Sequence, residues 1–134
     1  MQKITTFLMF VGEQAGKAEE AILFYTSLFR DSSIQSIIKF VADEQGGKKG
    51  MVRSAAFVLQ GQEYMAMDSM PHAFTFTPSI SLFVHCEDEV EIEHLYEKLS
   101  ESGQVLMPID DYGFSRRFGW VNDRFGVSWQ LNLP

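Results

Sequence analysis

The chain has a single cysteine, Cys86, so no disulfide can staple it to itself and a packed core must hold it. One thiol without a partner motif reads as a small core residue and suits a reducing compartment. Basic residues are scarce, 11 Lys and Arg against 18 Asp and Glu, for a net charge of −7. Nucleic acid is excluded as a partner on that balance, because meeting phosphates needs a basic patch. The basic cluster of note, Arg116-Arg117, splits between the two faces of a strand. No long apolar run occurs. The run from Ile4 to Val11 is too short to span a bilayer and ends in no small-residue cleavage site. It reads as a strand, and the protein as cytoplasmic with no membrane partner.

Glycine-rich nucleotide turns are missing too. The stretch Val11 to Lys17 follows a strand and opens a helix, as a phosphate loop does. It has three residues between Gly12 and Gly16 where that loop needs four, and Ala18 stands where Ser or Thr would meet magnesium. Glu13 would repel phosphate. Histidines are few: His72 in a loop, His85 at a strand end and His94 on the exposed side of a helix. A metal centre needs them gathered and backed by acids. They read as surface or edge residues, with His85 kept open as an edge ligand. No nucleophile elbow or Ser-His-Asp spacing is present.

What is there is apolar and aromatic: 46% hydrophobic residues with 12 Phe, enough for one domain with a real core. The stretch from Phe118 to Leu133 carries the clearest pattern. Asn122-Asp123 is turn chemistry, and Gly126 lets the chain re-enter a sheet with positive φ. From Val127 the period is two, with Val127, Trp129 and Leu131 on one face and Ser128, Gln130 and Asn132 on the other. The patterning predicts strands at Lys3 to Val11, Ile34 to Val41, Val52 to Leu59, Glu63 to Asp68, Ser79 to Cys86, Gln104 to Pro108, Ser115 to Val121 and Val127 to Leu133. It predicts helices at Ala18 to Phe29 and Glu87 to Ser102, the second stopped by Gly103. Gln60-Gly61 reads as a hairpin turn.

The order is βαβββ twice, and Phe24-Tyr25-Thr26-Ser27-Leu28 echoes Leu95-Tyr96-Glu97-Lys98-Leu99 in the second helix. Each half is too small to bury a core alone, so the two are expected to pack into a single domain over residues 1–134, module one about 1–70 and module two about 78–134. A ferredoxin-like α+β sandwich would use fewer strands. Met65, Met67, Met70 and Met107 read as core or as a soft ligand-contacting surface. Phe74 and Phe76, bracketed by Pro71 and Pro78, read as a cover over a cavity or a partner. Tyr64, Trp120 and Trp129 read as core.

Four pieces carry a family resemblance: Phe7-Leu8-Met9-Phe10, Ala18 to Tyr25, Met65-Ala66-Met67-Asp68, and above all Trp120-Val121-Asn122-Asp123-Arg124-Phe125-Gly126-Val127-Ser128-Trp129-Gln130. With them the chain resembles the vicinal oxygen chelate superfamily (glyoxalase, bleomycin resistance, dioxygenase), and within it the PhnB-like family. The resemblance implies an α+β fold of two βαβββ modules, curled sheets around a cavity, and a homodimer. It also implies four metal-ligand positions, on the first and last strand of each module. This chain offers Thr6, Met67 with Asp68 beside it on the opposite face, Ser79 and Gln130 there. Thr, Met, Ser and Gln are neutral, weak donors for a divalent metal. The expectation is therefore no metal and no cofactor, with Thr6, Met67, Asp68, Ser79 and Gln130 as ligand-binding candidates. Three function classes stay open: a small-molecule-binding protein, an enzyme using a metal or Asp68 as base, and an interaction protein. The methyltransferase label carried by some relatives lacks its glycine-rich turn here.

Overall fold

The computed structural model describes residues 2–70 and 72–134. They divide into two compact units, Met1–Thr75 and Phe76–Pro134. The first holds β1 (Thr6–Phe10), a 3-10 turn (Gly12–Gln14), α1 (Ala18–Leu28), β2 (Ser33–Lys39), β3 (Val52–Leu59) and β4 (Gln62–Asp68). The second holds β5 (Leu82–His85), α2 (Glu89–Ser100), β6 (Gln104–Asp110), β7 (Arg117–Asn122) and β8 (Ser128–Leu133). The sheets run β1-β4-β3-β2 and β5-β8-β7-β6, one order repeated. In each the first strand lies parallel to the last and the other pairs are antiparallel. The α+β class and the two βαβββ modules are as expected from the sequence.

Each helix covers one face of its own sheet. α1 buries Ala18, Ala21, Ile22 and Tyr25, the 3.6-residue stripe, against β3 and its neighbours. Two acids in its first turn face the positive end of the helix dipole. α2 buries Ile92, Leu95 and Leu99. Val90, which the apolar pattern would include, is exposed, because two residues before Ile92 it falls on the opposite side of the helix.

α2 begins two residues later than the sequence suggests. Asp88 is its cap, accepting from the Glu91 amide at 2.8 Å, while the Glu87 amide donates back to Glu91 Oε1 at 2.7 Å. Its end is also set differently from the expected glycine stop. Ser102 takes the left-handed conformation at φ 58°, and Gly103 is needed for closeness: a Cβ there would sit 2.2 Å from the Asn122 carbonyl oxygen. The hairpin turn at Gln60-Gly61 is real, with both residues at positive φ, the form that matches strand twist. β5 is shorter than predicted. The stretch after Pro78 is turn, and Thr77 Oγ1 bonds Ser79 Oγ at 2.7 Å before the strand begins.

Candidate functional site

Asp68 ends β4 and is wholly buried. Its Oδ1 accepts from the amides of Gly16 at 2.7 Å and Ala18 at 3.1 Å, and its Oδ2 from Val52 at 2.9 Å. The loop that resembles a phosphate site thus presents its amides to an anion the chain supplies itself. A carboxylate with these acceptor bonds is a brace between β4, β3 and the start of α1. Its oxygens are occupied by amides that a catalytic base or metal ligand would have to give up.

Strand register tells which side chains share a face with it. Thr6, Leu8 and Phe10 pair with Tyr64, Ala66 and Asp68. Asp68 reaches the first residue of α1, so this set lies on the helix side. Phe7, Met9, Met65 and Met67 alternate to the helix-free face. Thr6 is exposed at the strand start on the helix side, and Met67 is half-buried on the other. The first unit therefore does not bring Thr6, Met67 and Asp68 together. Its helix-free face is apolar and rich in methionine, with Phe7 and Met65 exposed.

The second unit differs. α2 lies on the face of Trp129, Leu131, Val121 and Gly119, where a Cβ on Gly119 would meet Tyr96 at 3.3 Å. Asp123 anchors that side in the β7–β8 turn. Its Oδ1 accepts from the Phe125 and Val127 amides at 2.8 and 3.0 Å, and its Oδ2 from Trp129 Nε1 at 2.9 Å. The motif Asn122 to Gln130 is explained by that cap and by Gly126 at φ 93°.

On the helix-free face lies a hydrogen-bonded row. Trp120 Nε1 donates to Ser128 Oγ at 2.8 Å, Ser128 Oγ sits 2.6 Å from Ser81 Oγ, and Gln130 Nε2 donates to Ser81 Oγ at 3.3 Å. Phe83 and Trp120 flank Gln130 in register, and His85 and Phe118 flank Asn132. Aromatic rings continue from there, with Phe114 against Phe118 at 5.1 Å and Tyr112 against Phe118 at 6.2 Å. Gln130 is where the sequence placed it, half-buried on the polar face of β8. Ser79 is exposed and bonded to Thr77, and the hydroxyl that joins Gln130 is that of Ser81. Ser81, Ser128 and Trp120 are the members of this hydrogen-bonded row that the sequence reading did not single out. The two-residue stride from Gln130 back to Ser128 was the available signal.

Other reactive groups are quiet. Burial, and then the nearby Glu91 carboxylate, push the Cys86 thiol up to about 12, so it stays a thiol. His72 shares a 2.7 Å hydrogen bond with Ser69, and His85 lies 5.0 Å from the Phe83 ring. Among the described residues no three His, Cys, Asp or Glu gather as a metal site. No helix among them is long and apolar enough to cross a membrane.

Residues 2–132 match the model of a family described as 3-demethylubiquinone-9 3-methyltransferase. A PhnB protein from Bacillus cereus is 56% identical, covering 99% of this chain and 100% of that one, with a TM-score of 0.91. Protein YjdN of Escherichia coli K12 is 25% identical over 75 residues, 56% of this chain and 51% of that protein. The match thus spans about half the length of this curated relative. A glyoxylase/bleomycin resistance protein/dioxygenase domain from Frankia sp. EAN1pec shares the fold, at 13% identity, TM-score 0.64 and coverage of 99% and 98%. Neither four-stranded sheet is the parallel, doubly wound kind with a glycine-rich cofactor turn, so the fold lends the methyltransferase wording no support.

Proposed function

We propose, for a chain that belongs to the family described as 3-demethylubiquinone-9 3-methyltransferase, that it is a PhnB-like member of the glyoxalase superfamily that binds a small molecule without a metal. The observation that carries this reading is the row Trp120, Ser128, Ser81 and Gln130 on the helix-free face of the second sheet. It is wholly neutral, and divalent metals are held tightly by imidazole, thiolate or carboxylate. A mostly apolar, aromatic surface with a few convergent polar groups is the common form of a ligand site. Gln130 stays in the proposed site and Ser81 takes the part first given to Ser79. Asp68 is read as scaffold, on the strength of its amide bonds. The same reading takes the protein as a homodimer, which light scattering tests as twice the chain mass of 15.3 kDa.

The function is tested by a thermal-shift screen of uncharged metabolites and aromatic antibiotics, with and without chelator. A ligand that binds only the folded protein raises its melting temperature. The reading expects hits that survive chelator and whose shift, taken from each variant's own melting temperature, disappears in the Ser81→Ala and Gln130→Ala proteins. Hits that require a divalent metal, or that ignore both substitutions, would overturn it.

A further inference from the structure

Resting on that site, we infer that its ligand is an uncharged planar aromatic carrying a hydrogen-bond donor and acceptor side by side on one edge, a primary carboxamide or lactam. The donor and acceptor of the protein follow from counting protons. The Trp120 indole can only donate, and it gives its proton to Ser128 Oγ. The Ser128 and Ser81 hydroxyls lie 2.6 Å apart and hold one proton between them. Ser128 is 2% exposed, and Ser81 is its one hydroxyl partner. If Ser81 donated, the Ser128 proton would be buried without an acceptor, at a cost of about 1–3 kcal/mol. Ser128 therefore donates to Ser81, which also accepts from Gln130 Nε2. That leaves the Ser81 proton free to donate outward. One of the two Gln130 Nε2 protons goes to Ser81, and its carbonyl oxygen is free to accept. A carboxamide answers both: its oxygen takes the Ser81 proton and its N–H meets the Gln130 carbonyl.

The flanks select the rest of the ligand. Phe83 and Trp120 stand on either side of Gln130 in register. Two strand spacings put their Cα atoms about 10 Å apart with the Gln130 side chain between them, so an aromatic ring that meets the Gln130 amide has an aromatic side chain on either side. The Trp120 indole is held in place by its bond to Ser128, so it is a preset wall. Phe83 is 47% exposed, so its ring is open to a ligand. Charge is selected against: the cross-strand neighbours at the level of Gln130 are Phe83, Trp120 and Met107, and those at Ser128 are Ser81, Asn122 and Gln104. Among the described residues no Asp, Glu, Lys or Arg stands in either row; His85 stands in the next one, its ring 5.0 Å from that of Phe83.

The test is ligand-observed saturation-transfer NMR with three probes of similar size: benzamide, benzoate and cyclohexanecarboxamide. The inference expects signal from benzamide, at least tenfold weaker affinity for benzoate and for cyclohexanecarboxamide, and loss of the benzamide signal in Ser81→Ala and Gln130→Ala. Phe83→Ala should weaken benzamide and leave the folded state intact, since that ring is half exposed. Benzoate or cyclohexanecarboxamide binding as well as benzamide would overturn it, as would no benzamide binding. Screening hits of another chemistry that still vanish in the Ser81 and Gln130 variants would keep the metal-free site and reject the aromatic amide.

Discussion

The two units repeat one topology strand for strand, yet beyond an exposed phenylalanine on the first strand of each, Phe7 and Phe83, their helix-free faces differ in chemistry. The first shows Phe7, Met9, Met65 and Met67 there; the second shows a bonded polar row framed by Phe83, Trp120 and Phe118. Each unit also has a buried aspartate that accepts backbone amides, at places the repeat does not match: Asp68 at the end of β4, bonded to the start of α1, and Asp123 in the β7–β8 turn. The lesson is that the two buried aspartates brace the scaffold, and the neutral side chains differ where the repeats diverge.

Removing the braces gives the largest expected effect. Asp68→Ala and Asp123→Ala should each cost about 3–5 kcal/mol, because each strands several buried donors. Urea unfolding of both variants measures it. A loss under about 1 kcal/mol for Asp68→Ala would break the parallel and return that carboxylate to the list of candidate bases. Next comes Gly103→Ala, whose Cβ would collide with the Asn122 carbonyl beside the second brace. A loss of about 2 kcal/mol is expected, with Gly61→Ala in the first unit as an open-space control for positive φ.

These effects also mark where sequence was readable and where it was not. Period-two alternation located β8 and put Gln130 on the polar side, because one face is in the core and the other is not. The repeat was visible because helix stripes and strand order are local patterns. The role of Asp68 was hidden, since its donors Gly16 and Ala18 lie some fifty residues away and come close only through the parallel β1–β4 pairing. Ser79 stands in the sequence reading, and Ser81 was not singled out, for a similar reason: which serine reaches Ser128 depends on β5–β8 register, and Pro78 starts a turn that delays the strand.

Smaller effects sharpen the contrast between row and scaffold. Ser128→Ala removes the acceptor of the Trp120 indole and should cost about 1 kcal/mol, with the emission of Trp120 moving to the red. The Cys86 thiol provides the mildest test. Its proton is held more tightly in the folded state, up to about 12 from 9.0, so its contribution to stability is complete below pH 9 and fades as pH rises toward 12. The stability difference between wild type and Cys86→Ala should change with pH in that window alone, and folded protein at pH 8 should resist thiol alkylation.

The two tryptophans test the central claim most directly. Both indoles donate to a side chain, Trp120 to Ser128 in the neutral row and Trp129 to Asp123 in the brace. A proton–nitrogen NMR titration with benzamide, in chelator, resolves the two indole signals and the Gln130 side-chain amide. The account predicts that Trp120 and Gln130 shift together while Trp129 stays still. Movement of Trp129 without Trp120, or movement of neither when benzamide binds, would contradict it.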